Sequence, residues 1–269
     1  PMHHPIYAVI RCTTAALASI WLAACQAPQA PASDLERDRL NALGTTLFQQ
    51  AQYRDALDAY RQATVIDSLS AQSYSHLATA YMKLGYRDSA ETAYLAAVRL
   101  DSTFVRAHHN LAVSYGETGR YYEAIALLED AIRTDPGMTP SYRLLASLHQ
   151  EQGAYDLAEG VLVRAVTADS TDAEALWTLG RLFRLQGRWV KSEEMLTRAV
   201  DANPNSKESH RELGVLYTYA ERYEEAESML RRACEIDPDY VEAYHSMANL
   251  YSAQGRVKHA QIFLERFVE

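Results

Sequence analysis

Val105 to Met138, VRAHHNLAVSYGETGRYYEAIALLEDAIRTDPGM, is the stretch whose reading decides the fold. Counted from Val105, apolar or aromatic residues stand at positions 7, 11, 17 and 24 (Leu111, Tyr115, Tyr121, Leu128), with His108 at position 4. Small residues stand at positions 8, 20 and 27 (Ala112, Ala124, Ala131). Gly119 splits the stretch near its middle and Pro136 closes it. Spacings of three and four place the apolar residues on one face of each of two helices, and the small residues let those helices approach closely. The expected unit is helix A, a tight turn, then helix B.

Sliding the chain against itself by 34 residues repeats this unit with no insertion or deletion, from residue 37 onward. Position 7 falls on Leu43, Leu77, Leu111, Leu145, Leu179, Leu213 and Met247. Position 8 falls on Gly44, Ala78, Ala112, Ala146, Gly180, Gly214 and Ala248. Position 20 is alanine except at Ser192, and position 15 is glycine in five of seven units. Position 32 is Pro136, Pro204 or Pro238 in three units and Ser68, Ser102 or Ser170 in three others, each serine preceded by aspartate.

The pattern closely resembles the tetratricopeptide repeat over residues 37–269. The resemblance implies an all-α fold, a right-handed α-α superhelix (TPR solenoid) of seven helix-turn-helix repeats: 37–70, 71–104, 105–138, 139–172, 173–206, 207–240 and 241–269. A single unit cannot bury its apolar face alone, so neighbours must stack, with the A helices lining the concave side.

Composition narrows the function. The chain has 269 residues and a net charge of −9, which argues against nucleic acid as the main partner. Its three cysteines, Cys12, Cys25 and Cys234, are too scattered for a disulfide framework or a zinc cage. The nine histidines are expected to be packed or solvated, and Cys234 to be a small core residue. No glycine-rich phosphate loop, metalloprotease helix or serine elbow occurs, so no enzyme, cofactor or metal is expected.

The amino terminus carries a different signal. Residues 1–24 hold one formal charge, Arg11, and an apolar run from Thr13 to Ala24. Twelve helical residues reach roughly 18 Å, short of the ~30 Å hydrocarbon core, so a cleavable secretory signal is expected rather than a span. Leu22-Ala23-Ala24-Cys25 resembles the lipobox of bacterial lipoproteins. The resemblance implies diacylglyceryl transfer to Cys25, cleavage before it and a second acylation (the palmitate-type anchor), because several acyl chains hold a protein durably where one does not. Gln26 stands where an aspartate would favour the inner membrane, so the implied location is the periplasmic face of the outer membrane. Residues 25–36 are expected to be the lipidated Cys25 and a tether with Pro28 and Pro31, in which Gln26 to Glu36 span up to ~34 Å when extended.

In the resembled family, positions 2, 5, 9, 12 and 13 face the groove. Here they bring Arg143, Trp177 and Arg211 (position 5), Arg181 (9), Arg184 (12) and Tyr219 (13), a basic-aromatic strip in an acidic protein. Arginine forks bind carboxylates bidentately, and tryptophan and tyrosine supply anchor area. The expected ligand is an extended acidic or carboxylate-ended peptide. The competing expectation is that Glu174, Glu208 and Glu212 neutralise these arginines. The residues of the two-carboxylate clamp known in some family members are not matched, which disfavours a chaperone role.

The function expected is a non-enzymatic, membrane-tethered scaffold for a protein or peptide partner in envelope, pilus or cell-wall assembly. The alternative is a periplasmic component of a polysaccharide or protein export system. The array stops within helix B of the seventh unit, at Phe267-Val268-Glu269. Either the natural chain continues, or this apolar end meets a partner or a second copy.

Overall fold

The structure is a computed structural model, and it describes residues 32–265, with side chains described for 33–263. Fourteen α-helices and no strand occur among the described residues. In chain order they are α1 (Ala32–Gln49), α2 (Tyr53–Ile66), α3 (Ala71–Lys83), α4 (Arg87–Leu100), α5 (Val105–Glu117), α6 (Tyr121–Thr134) and α7 (Thr139–Glu151). There follow α8 (Tyr155–Ala168), α9 (Ala173–Leu185), α10 (Trp189–Ala202), α11 (Lys207–Tyr219), α12 (Tyr223–Ile236), α13 (Val241–Ala253) and α14 (Val257–Glu265). Each odd helix and the even helix after it form one 34-residue hairpin, as the period requires. Cys25 and Phe267-Val268-Glu269 lie outside the described residues.

One expectation is corrected. Residues 32–36 belong to α1 and are not part of an extended tether. Asp34 sits in the first turn of α1, where its carboxylate complements the helix dipole and accepts from Arg37 at 3.2 Å.

The two turn types are built by backbone chemistry repeated in register. Between A and B, the N–H of position 16 bonds the carbonyl of position 11 in all seven hairpins, at 2.8–2.9 Å, as in Arg120 to Tyr115 and Ala154 to His149. This six-to-one closure requires a left-handed residue at position 15. Gly85, Gly119, Gly153, Gly187 and Gly255 supply it with φ of 71–81°, while Ala51 and Glu221 hold the same conformation at 59° and 58°.

Between B and the next A, position 31 does the work. The side-chain oxygens of Asp67, Asp101, Asp135, Asp169, Asn203 and Asp237 each accept the N–H two residues on, at 2.8–3.1 Å. These Asx turns explain why serine replaces proline at position 32 without loss: the residue before it already closes the loop.

The chain divides into two units, one ending at Leu100 and one starting at Asp101. In the first, α1–α2 and α3–α4 pack as hairpins. Tyr60 and Tyr94 fill equivalent slots, their hydroxyls 3.2 Å from Thr45 and 3.0 Å from Thr79. Asn41 Nδ2 donates to Ser73 Oγ at 2.9 Å, joining α1 to α3.

The second unit stacks five hairpins. Leu111, Leu128, Ile132, Leu145, Leu162, Leu176, Leu182, Leu196, Leu230 and Leu250 are fully buried there, each contributing about 1.5–3 kcal/mol. Gly180 and Gly214 let helices close in: a β-carbon would lie 2.7 Å from Leu196 Cγ and 2.6 Å from Leu230 Cγ respectively. Ser192, the departure from alanine at position 20, is buried and donates to the Gly180 carbonyl at 2.8 Å. The backbones of successive A helices (α5, α7, α9, α11, α13) approach within 8 Å between Cα atoms, whereas those of successive B helices stay farther apart. The stack of this unit therefore bends with its A helices on the inner side.

Candidate functional site

The inner side of the second unit gathers the strip predicted from sequence. Helix α9 sits at its centre. Asp172 caps it, its side chain accepting from the N–H of Glu174 at 2.9 Å and Ala175 at 3.1 Å. From that start Trp177, Arg181 and Arg184 follow at i, i+4 and i+7, one helical face. Arg181 lies over the Trp177 ring, its guanidinium carbon 5.7 Å from the centroid. Arg184 lies 5.8 Å from the ring of Tyr219, carried by α11. Tyr219 is 66 % exposed and pairs with Trp189, ring centres 6.0 Å apart.

Most of the cationic charge is already engaged. Arg143, on α7, reaches Asp172 at 3.2 Å and Glu174 at 2.6 Å. Arg184 donates to Glu212 at 3.1 Å, and Arg211 pairs with the other oxygen of the same carboxylate. Arg211 also donates to the Tyr240 hydroxyl at 3.1 Å. Two of the three acids expected to neutralise the strip, Glu174 and Glu212, do so. Arg181 is different: among the described residues no carboxylate stands within ion-pairing distance of it.

The same face is rich in hydrogen-bond donors that lack acceptors. Trp177 Nε1, Arg181 Nε, Arg184 Nε and Gln150 Nε2 are buried from solvent with no partner among the described residues. All four are N–H groups, on α7 and α9. Buried donors of this kind are costly unless something accepts from them. His109, in the same inner row on α5, meets Ser141 Oγ at 3.2 Å. Burial, and then the nearby Arg143 charge, hold its pKa below the ordinary histidine value. It is thus a neutral member of the row.

Sequence reasoning located all six strip residues on the inner A helices but treated Trp177 as an exposed anchor; it is half-buried. It also missed Trp189, which packs on Tyr219 from the first turn of α10. A second regularity escaped it. Arginine at position 16 covers the aromatic ring at position 11 in four hairpins: Arg120 on Tyr115, Arg188 on Phe183, Arg222 on Tyr217 and Arg256 on Tyr251, at 3.8–4.6 Å. Arg188 and Arg222 also reach back to Glu159 (2.5 Å) and Glu193 (2.7 Å) on the preceding hairpin. Cys234 is half-buried against the cluster around Leu230 and Met247. Among the described residues no three histidine, cysteine or acidic side chains converge as metal ligands would.

A family model described as the C-terminal domain of cilia and flagella-associated protein 70 matches residues 41–235, and one described as TPR repeat matches 216–255. The chain belongs to the tetratricopeptide repeat family. Its TPR fold is that of a protein–protein interaction scaffold. No curated protein matches it. Among solved structures it is similar to YrrB, described as a TPR protein with an unusual peptide-binding site: 25 % identity, TM-score 0.52, over 71 % of this chain and 98 % of that one. PilF of Pseudomonas aeruginosa is 20 % identical with TM-score 0.69, over 81 % and 100 %. A tetratricopeptide repeat protein from Parabacteroides merdae is 14 % identical with TM-score 0.66, over 86 % and 92 %. The last two likenesses concern the fold alone.

Proposed function

We propose that this TPR chain is a non-enzymatic scaffold that holds an extended acidic peptide along the inner face of α7, α9 and α11. The observation that carries the reading is Arg181, a cation stacked on Trp177 with no acid beside it. It stands in a row where Arg143, Arg184 and Arg211 already have carboxylates. A ligand carboxylate is the complement to that charge and to the unpartnered N–H groups around it. The peptide-binding site named for YrrB supports the class of ligand.

The scaffold is held at a membrane by lipid on Cys25. Leu22-Ala23-Ala24-Cys25 supports this part of the reading. Among the described residues no helix is long and apolar enough to cross a bilayer. Labelling with palmitate in a lipoprotein-processing host tests it, and a Cys25→Ser chain that labels as strongly as the parent overturns it.

The groove is tested by fluorescence anisotropy with a labelled oligo-aspartate peptide. Arg181→Glu should weaken binding by at least about tenfold, corresponding to about 1.4 kcal/mol. Equal affinities of the parent and the variant overturn the acidic-peptide reading.

A further inference from the structure

Beside the cationic strip lies a groove of a different kind. It occupies about 410 Å³ between α11 and α13 and is lined by Val215, Thr218, Tyr219, Ser246, Asn249 and Ala253. None of these carries a charge. Two of the three hydroxyls in its wall are turned back on their own helices: Thr218 Oγ1 donates to the Gly214 carbonyl at 2.9 Å, and Ser246 Oγ to the Glu242 carbonyl at 2.8 Å. Apart from the Asn249 amide and the Tyr219 hydroxyl, the wall they leave is mainly hydrocarbon. The volume suits one branched aliphatic or aromatic side chain with room for adjacent backbone.

Tyr219 joins the two regions. Its ring forms one wall of the groove and lies 5.8 Å from the guanidinium of Arg184, which follows Arg181 by one turn of α9. The inner face of the second unit thus passes from unpartnered donors and the unpaired charge of Arg181 at α7–α9 to an uncharged, mainly apolar recess at α11–α13. The two regions lie side by side along the direction in which an extended chain would cross the A helices.

We infer that the ligand is bipartite: an acidic segment bound at Arg181, followed about four or five residues away, on one side only, by a large apolar side chain seated between α11 and α13. This rests on the acidic-peptide reading and adds the second determinant. The spacing follows from the distances. Neighbouring A helices pack about 8–10 Å apart and an extended chain advances about 3.3 Å per residue; the recess lies about one and a half helix spacings from α9, roughly 12–15 Å, which takes about four or five residues. Apolar burial in the recess supplies affinity that charge alone does not, and its position to one side of the strip sets the direction of the chain.

The test uses the full chain and labelled synthetic peptides of about ten residues, long enough at roughly 33 Å to cross three A helices. Each peptide carries a block of aspartates and glutamates in a Gly/Ser background. A single leucine stands about four or five residues before the block, the same distance after it, or is replaced by alanine. A leucine on one side should strengthen binding about tenfold over alanine, and on the other side should not. Asn249→Trp, which fills the recess from an exposed position, should erase the leucine preference. Ala253→Trp provides a second filling variant, and helix content by circular dichroism confirms that both are folded.

Equal binding of leucine and alanine peptides, or a leucine preference that survives both tryptophans, overturns the bipartite ligand and leaves the acidic reading standing. Replacement of the acidic block by lysines without loss, or no saturable binding by any peptide, overturns both.

Discussion

Arg184 on α9 donates at 3.1 Å to Glu212 on α11, and the Glu212 side chain is only 1 % exposed. A buried carboxylate thus stitches two successive hairpins while occupying an arginine that faces the inner groove. Glu212 serves Arg211 as well. Breaking such a pair leaves positive charge near the surface rather than deep inside, so the cost is moderate.

Glu212→Gln should therefore lower stability by about 1.5–3 kcal/mol, seen as a reduced urea midpoint. It should also strengthen binding of an acidic peptide at low salt, because Arg184 and Arg211 are released. Weaker peptide binding in a folded variant would mean that Glu212 instead holds those arginines in their productive pose.

Glu221 occupies the left-handed turn position that glycine fills in five other hairpins. No β-carbon-bearing residue adopts that conformation without cost. Glu221→Gly should raise stability by about 1 kcal/mol. Gly187→Ala should lower it by a similar amount, since a β-carbon there meets nothing within 4 Å and only the backbone objects. Matched urea curves for the two variants check both signs.

Glycines inside helices divide the other way. Gly180→Ala puts a β-carbon 2.7 Å from Leu196 Cγ and 3.2 Å from its backbone nitrogen, so α9 and α10 must separate, at about 1–3 kcal/mol. Gly160, within α8, has open space around it, and Gly160→Ala should add about 0.5–1 kcal/mol through better helix propensity. Opposite shifts in thermal midpoint are the expected readout.

Acid should loosen the loops between hairpins. The Lys207 ammonium, and then the Asp239 N–H, hold the Asp237 carboxyl below its ordinary pKa, and Arg37 with the Leu69 N–H does the same for Asp67. A depressed folded-state pKa stabilises above the unfolded value near 4, and that contribution is lost as pH falls through the folded value. Unfolding free energy should thus decline below about pH 4. Asp237→Asn should flatten this acid limb while keeping the turn, as Asn203 does naturally. An unchanged pH profile in that variant would show the pair to be inert.

Much of this was legible in the sequence because the period fixes what is local. Hairpin register, the small residues at Ala112 and Gly180 and the tight turn at Gly119 follow from position within 34 residues, and the family resemblance implied the inner placement of Trp177, Arg181 and Arg184. Contacts between hairpins do not. Whether Arg184 meets Glu212, or Tyr219 meets Trp189, depends on the rotation of one hairpin against the next, and the period leaves that open. The loop role of Asp67 and its equivalents was half visible: the aspartate stood in the pattern beside serine, but proline drew the eye as the helix stop. The early start of α1 escaped because helix propensity, not the repeat, governs residues before position 1.

The recurring Asx-closed junctions make the second unit extensible in whole steps. A copied hairpin spliced in at the Asn203–Asn205 junction would bring its own closing turn and leave the flanking helices in register. It would also push the apolar recess away from Arg181 by one helix spacing, roughly three residues of bound chain. The protein's length in hairpins would then act as a gauge, setting how far apart two features of a ligand must lie for both to be gripped at once.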